Sequence, residues 1–266
     1  MKREDSGDAK ASMTLADVAP EAVLLAGAGR AILLQLANPA VGYGVAEHSS
    51  FSVDPLRRLH GTLSYIYALS NGTPAQRKSV RRHVQNAHRP VKSSGSATTP
   101  AYSAADPQQQ LWVAATLYDS AAQNYERVFP ALSDADAESI YRSYAILGTA
   151  LGMPAALWPA TRADFANYWS AQLAHVQVDA TVKGVAAELL AAKNAPLWVK
   201  ILMPLARFLT AGLLPPAVRD LYGFPWTPRK ERILTLLFDV VSVLVRITPF
   251  KIRSAPMRYY LRRIPE

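Results

Sequence analysis

No cysteine occurs among the 266 residues. That removes disulfides, thiolate nucleophiles and thiolate-held iron centres together. Equally absent are a phosphate loop, a Gly-x-Gly-x-x-Gly after a strand, a His-Glu-x-x-His and a Gly-x-Ser-x-Gly. Gly27-Ala-Gly29 is only a fragment of a dinucleotide fingerprint, and no strand precedes it. No stretch alternates with period two between hairpin turns, and nothing repeats at a fixed period, so the expected fold class is all-α, a single multi-helix domain.

Acidic residues are scarce as well, with 20 Asp and Glu against 29 Lys and Arg for a formal charge of +9. The excess gathers at 78–92 and 229–263, which suits an anionic partner such as a lipid surface or cofactor carboxylates. Nucleic acid is not expected, because no recognition motif accompanies the charge. Residues 1–12 lack the apolar core of a secretory signal, so a cytoplasmic location is expected, with the basic C-terminal part offering peripheral contact to a membrane.

What is present is half hydrophobic, enough to bury a large core. Residues 1–13 read as a disordered tail, 14–228 as the helical domain, and 229–266 as basic helices packed on it. Polar caps followed by proline, at Asn38-Pro39, Asp54-Pro55, Thr73-Pro74, Asp106-Pro107 and Thr227-Pro228, mark helix starts. Residues 20–37 are apolar on every face and read as one helix buried all round, whose small residues at 26–29 would admit another helix or a flat ligand. Residues 196–214 form an apolar helix interrupted by Lys200, Pro204 and Arg207, better suited to burial or to an interface than to crossing a bilayer.

The helix opened by Thr73 ends at His88, four residues after Val84 and on the same side, so the imidazole is predicted to face inward. Such a histidine is a packed core residue or a ligand. The others, His48, His60, His83 and His175, offer no i, i+4 pair, and His83 and His88 lie about 140° apart around the helix at 3.6 residues per turn, so a zinc set is not expected. Arg30, on the buried helix, needs an anionic partner, either an internal carboxylate such as Glu47 or Asp119 or an external one. The long loop at 90–107 is a candidate gate.

Several stretches, taken in order, resemble the MpaB-type oxygenase family, which includes the catalytic domain of latex-clearing rubber oxygenase. They are Gly29-Arg-Ala-Ile-Leu-Leu-Gln-Leu-Ala-Asn-Pro, Gly44-Val-Ala-Glu-His, Asp54-Pro55 with Arg58 and Thr62, His88-x-x-Val91, Leu111-Trp-Val-Ala-Ala-Thr-Leu-Tyr-Asp-Ser and Tyr222-Gly-Phe-Pro-Trp. The resemblance implies an oxidoreductase that encloses haem b, with His88 as the ligand of the iron. It places Arg58 and Thr62 near the haem as catalytic candidates, and gives Arg30 and Arg58 the propionates as partners. It further implies dioxygen and a lipophilic small molecule as co-substrates; the alternative is a non-catalytic helical protein that binds haem or lipid at a membrane surface. Three positions depart from the family pattern. Gly61 stands where rubber oxygenase has a lysine, and Asn38 and Ala114 stand where many members have histidine.

Overall fold

A computed structural model describes residues 12–48 and 56–265. The helix start expected at Asp54-Pro55, and all but Ser12 and Met13 of the expected tail, lie outside these residues. Met13 itself is tied in, its backbone N–H donating to Asp136 Oδ1 at 2.9 Å.

The fold is all-α: α1 (Leu15–Val18), a 3-10 turn (Ala22–Gly27), α2 (Ala28–Leu36), α3 (Pro39–His48), α4 (Arg57–Asn71) and α5 (Pro74–His88) come first. A two-residue strand pair follows, β1 (Lys92–Ser93) and β2 (Tyr102–Ser103), antiparallel with Lys92 opposite Ser103. Then come α6 (Pro107–Val128), α7 (Asp134–Tyr144), α8 (Ile146–Thr149), α9 (Arg162–Leu173), α10 (Ala180–Ala191) and α11 (Leu197–Leu213). The chain closes with α12 (Pro216–Tyr222), α13 (Pro228–Ile247), α14 (Phe250–Arg253) and α15 (Ala255–Leu261).

Local chemistry sets most of these starts. Thr73, Asp106, Ser133, Thr161, Asp179 and Thr227 each accept a backbone N–H of the first turn, satisfying donors that a helix cannot satisfy itself. Asn38 does the same for α3 through Val41 N–H. Packing then sorts the helices around α6. One cluster joins Leu111, Ala115 and Tyr118 of α6 to Tyr65 and Leu69 of α4, Val80 of α5 and Tyr141 of α7. A second joins Trp112 to Leu33 and Leu36 of α2, Val41 of α3, Val182 of α10 and Val218 of α12.

The stretch 20–37 departs from the single helix expected: its first part winds as the 3-10 turn and only its second as α2. Its small residues serve helix contact and leave no room for a flat ligand. A Cβ on Gly27 would stand 2.4 Å from the Asn124 amide of α6, and one on Gly29 would stand 1.9 Å from Thr210 Oγ1 of α11.

Candidate functional site

Thr73 and Gln76 form a reciprocal capping box, and Gln76 Nε2 also donates to the Leu261 carbonyl at 2.8 Å, tying the start of α5 to α15. Further along, Val80 is buried and Arg81 Nε donates to the Ala150 carbonyl at 2.9 Å. Held at these points, α5 runs to its last residue, His88, and delivers the imidazole within electrostatic reach of Arg58 in the first turn of α4.

Arg58, Gly61 and Thr62 are spaced i, i+3 and i+4, so they share one face of α4. Arg58 and Thr62 are half-buried. Burial pulls the Arg58 guanidinium down to about 10, still charged at neutral pH. Among the described residues, apart from its chain neighbours and its own helix backbone, no atom lies within 4 Å of the place a Gly61 Cβ would take. From the other side α15 fixes α4, with Tyr260 Oη 2.6 Å from His60 Nδ1 and its ring 5.8 Å from that of Tyr67. Sequence reasoning passed over Tyr260; the aromatic pair Tyr259-Tyr260 inside a basic tail was the signal available.

His88 differs from the other histidines in its circumstances. His48 reaches the Tyr102 hydroxyl at 3.1 Å, His60 reaches Tyr260, His175 reaches the Ala171 carbonyl at 2.8 Å, and His83 is exposed. The His88 imidazole is half-buried and has no hydrogen-bond partner among the described residues. Burial first, and the Arg58 charge second, push its pKa below the ordinary histidine value. At neutral pH it is therefore a neutral ring with a free nitrogen lone pair, the form in which histidine ligates iron. Among the described residues no three His, Asp or Glu side chains converge to hold a bare metal ion. A single imidazole suits a metal whose remaining ligands come from a macrocycle, and an adjacent guanidinium suits that macrocycle's carboxylates. As donor types, His88 and Arg58 are of the kind haem takes, and neither lines a cavity described below.

Arg30 lies elsewhere. Wholly buried on α2, it meets Asp119 Oδ2 at 2.5 Å, donates from Nη1 to Ser120 Oγ at 2.8 Å and from Nε to the Leu213 carbonyl at 2.7 Å. The internal carboxylate takes the place of the propionate expected for this residue. Desolvation, the largest influence on both groups, pulls Arg30 down and pushes Asp119 up, while their mutual attraction opposes each shift.

The expected gate at 90–107 is pinned. Tyr102, buried in β2, donates its hydroxyl to Glu47 Oε2 at 2.5 Å, and it packs edge-on against His48 at the end of α3. Of the positions departing from the family pattern, Ala114 is sealed in the core and Asn38 is occupied as the cap of α3. Two small cavities, one beside Tyr118, Tyr125 and Tyr144 and one beside Asn38, Trp112 and His175, include none of Arg58, Thr62 and His88.

The fold is that of latex clearing protein in its closed state, matched with a TM-score of 0.59 over 92% of this chain and 71% of that one at 17% identity. An uncharacterized protein of Mycobacterium tuberculosis and another of Mycobacterium bovis are each 35% identical to this chain over 228 residues, 83% of this chain and 88% of theirs. The family model described as ER-bound oxygenase mpaB/B'/rubber oxygenase, catalytic domain, matches residues 17–246. A match of that extent spans the chain from α1 to the last turn of α13, and the protein belongs to the mpaB/rubber oxygenase catalytic-domain family.

Proposed function

We propose that this member of an oxygenase family depends on haem b, held through His88, and oxidises a lipophilic substrate with dioxygen. The carrying observation is the His88 imidazole: neutral, half-buried, beside Arg58 and without a hydrogen-bond partner among the described residues. With no hydrogen bond among the described residues to give up, the neutral ring is available to a ligand. When bound, haem b supplies the iron at which dioxygen is activated.

The rest falls to the chain. Arg58 stays charged and offers a guanidinium to a propionate. Thr62 brings a hydroxyl to the same face of α4, where it can donate or accept a hydrogen bond. Gly61 between them brings no side chain to that face. With no lysine there, this chain has no amine at that position to close over the iron. The rubber oxygenase membership of the family supports a lipophilic substrate.

The test is reconstitution of the purified protein with haem. A Soret band is expected in the native protein and a loss of bound haem in His88→Ala, with circular dichroism showing that both are helical. If His88→Ala keeps the spectrum and haem content of the native protein, the reading fails. A second reading, a haem- or lipid-binding protein without turnover, is favoured by Ala114, whose sealed position leaves no room for the histidine many members carry. Haem-loaded protein that consumes no dioxygen with any isoprenoid offered would select it.

A further inference from the structure

The C-terminal third carries an apolar surface that the fold does not cover. On α11, Leu197, Ile201 and Leu205 recur every four residues and remain in solvent, Leu197 74% exposed and Ile201 68%. On α13, Leu236, Val240, Val243 and Ile247 recur at alternating steps of four and three, a single stripe along the helix, with Ile247 73% exposed. The two helices pack on each other through a different set, Phe208 and Leu213 of α11 with Leu234, Phe238 and Val241 of α13. Their outer faces are therefore left over after the core is made. Phe250 and Ile252 of α14 extend the exposed apolar surface.

Charge distinguishes the occupants this surface fits. Residues 228–265 hold nine Lys and Arg against two Asp and Glu. Arg229 heads the α13 stripe one turn before Ile233, Arg232 stands one turn before Leu236, and Arg246 and Lys251 flank its far end, all four exposed. A second copy of this chain docked face to face would set these cations against their own counterparts. An anionic lipid surface instead meets apolar side chains with acyl tails and arginines with headgroups. Trp198 and Tyr259, both exposed, are of the type that settles at the headgroup level. Among the described residues no single helix is long and apolar enough to cross a membrane.

We propose that the outer faces of α11, α13 and α14 form a docking surface for an anionic lipid bilayer, with α13 lying in the interfacial plane. This does not rest on haem or on turnover, and its test uses neither. The full chain is floated with vesicles of phosphatidylcholine alone and of phosphatidylcholine with phosphatidylglycerol. Binding is expected to the anionic vesicles and to weaken as salt is raised. Ile201→Ser with Ile247→Ser should lower affinity about tenfold or more, since two large side chains no longer enter the acyl boundary. Arg232→Gln and Arg246→Gln should each weaken binding about fivefold, the equivalent of roughly 1 kcal/mol per cation at the surface. All these positions are exposed, so unchanged thermal unfolding confirms intact variants. The proposal is overturned if the native chain ignores anionic vesicles or if the serine variant binds them as the native chain does. It is also overturned if the chain is a dimer in solution that Ile201→Ser with Ile247→Ser converts to monomer, which would make a second copy the occupant.

Discussion

Arg30 and Arg58 both stand on helices with buried faces, and in sequence both ask for an anionic partner; the fold gives them different surroundings. Arg30 is enclosed by α2, α6 and α11 with a carboxylate, a hydroxyl and a carbonyl around it. Arg58 stands in the first turn of α4 with the His88 imidazole in electrostatic reach and a glycine three residues further on. The first arrangement holds helices together. The second sets a half-buried imidazole, without a hydrogen-bond partner among the described residues, within reach of a cation, which suits a ligand more than it serves to hold helices together.

The largest expected effect breaks the structural half of that comparison. Asp119→Ala leaves the Arg30 guanidinium buried without its counter-charge and should cost about 3–5 kcal/mol of stability. Urea denaturation reads this directly. Arg58→Gln should cost far less, on the order of 1 kcal/mol. Equal losses from the two substitutions would show that both arginines are structural.

A smaller effect sharpens the other half. The folded-state pKa of His88 lies below its unfolded value, so below about 6.5 the unfolded chain takes up a proton that the folded chain resists. Stability should therefore fall as pH drops from that value toward the depressed folded pKa, with no contribution from His88 above it. Removing the Arg58 charge takes away one of the two causes. In Arg58→Gln the His88 ring protons, followed by NMR in haem-free protein, should titrate at higher pH than in the native chain. An unchanged midpoint would place Arg58 too far away to act on the ring.

The sequence made legible whatever depends on neighbours along the chain. Thr73, Asp106 and Thr227 announce their helices because the cap and the donors it satisfies lie within three residues. The end of α5 at His88 was legible for the same reason. Partnerships set by tertiary packing were not. Asp119 was one of two carboxylates open to Arg30, and only the crossing of α2 with α6 selects it, while Glu47 goes to Tyr102. The docking of Tyr260 on His60 joins positions 200 residues apart. The strands at Lys92–Ser93 and Tyr102–Ser103 are too short to show any period. That the His88 ring lacks a partner is likewise a property of the surroundings and not of the helix that carries it.

The smallest effect concerns Gly61. A glycine inside a helix costs about 0.5–1 kcal/mol relative to alanine, and here no described residue outside its own helix comes within 4 Å of where a Cβ would stand. Gly61→Ala should therefore stabilise the haem-free protein by about that amount, read as a raised urea midpoint. Gly27→Ala is the control from the other region, where a Cβ would stand 2.4 Å from the Asn124 amide and the substitution should destabilise. If the space beside Arg58 and Thr62 is where a cofactor edge lies, a bulkier Gly61→Leu should remain folded and yet retain less haem than Gly61→Ala. Equal haem retention by the two would leave that face of α4 a plain surface and move the cofactor to the other side of His88.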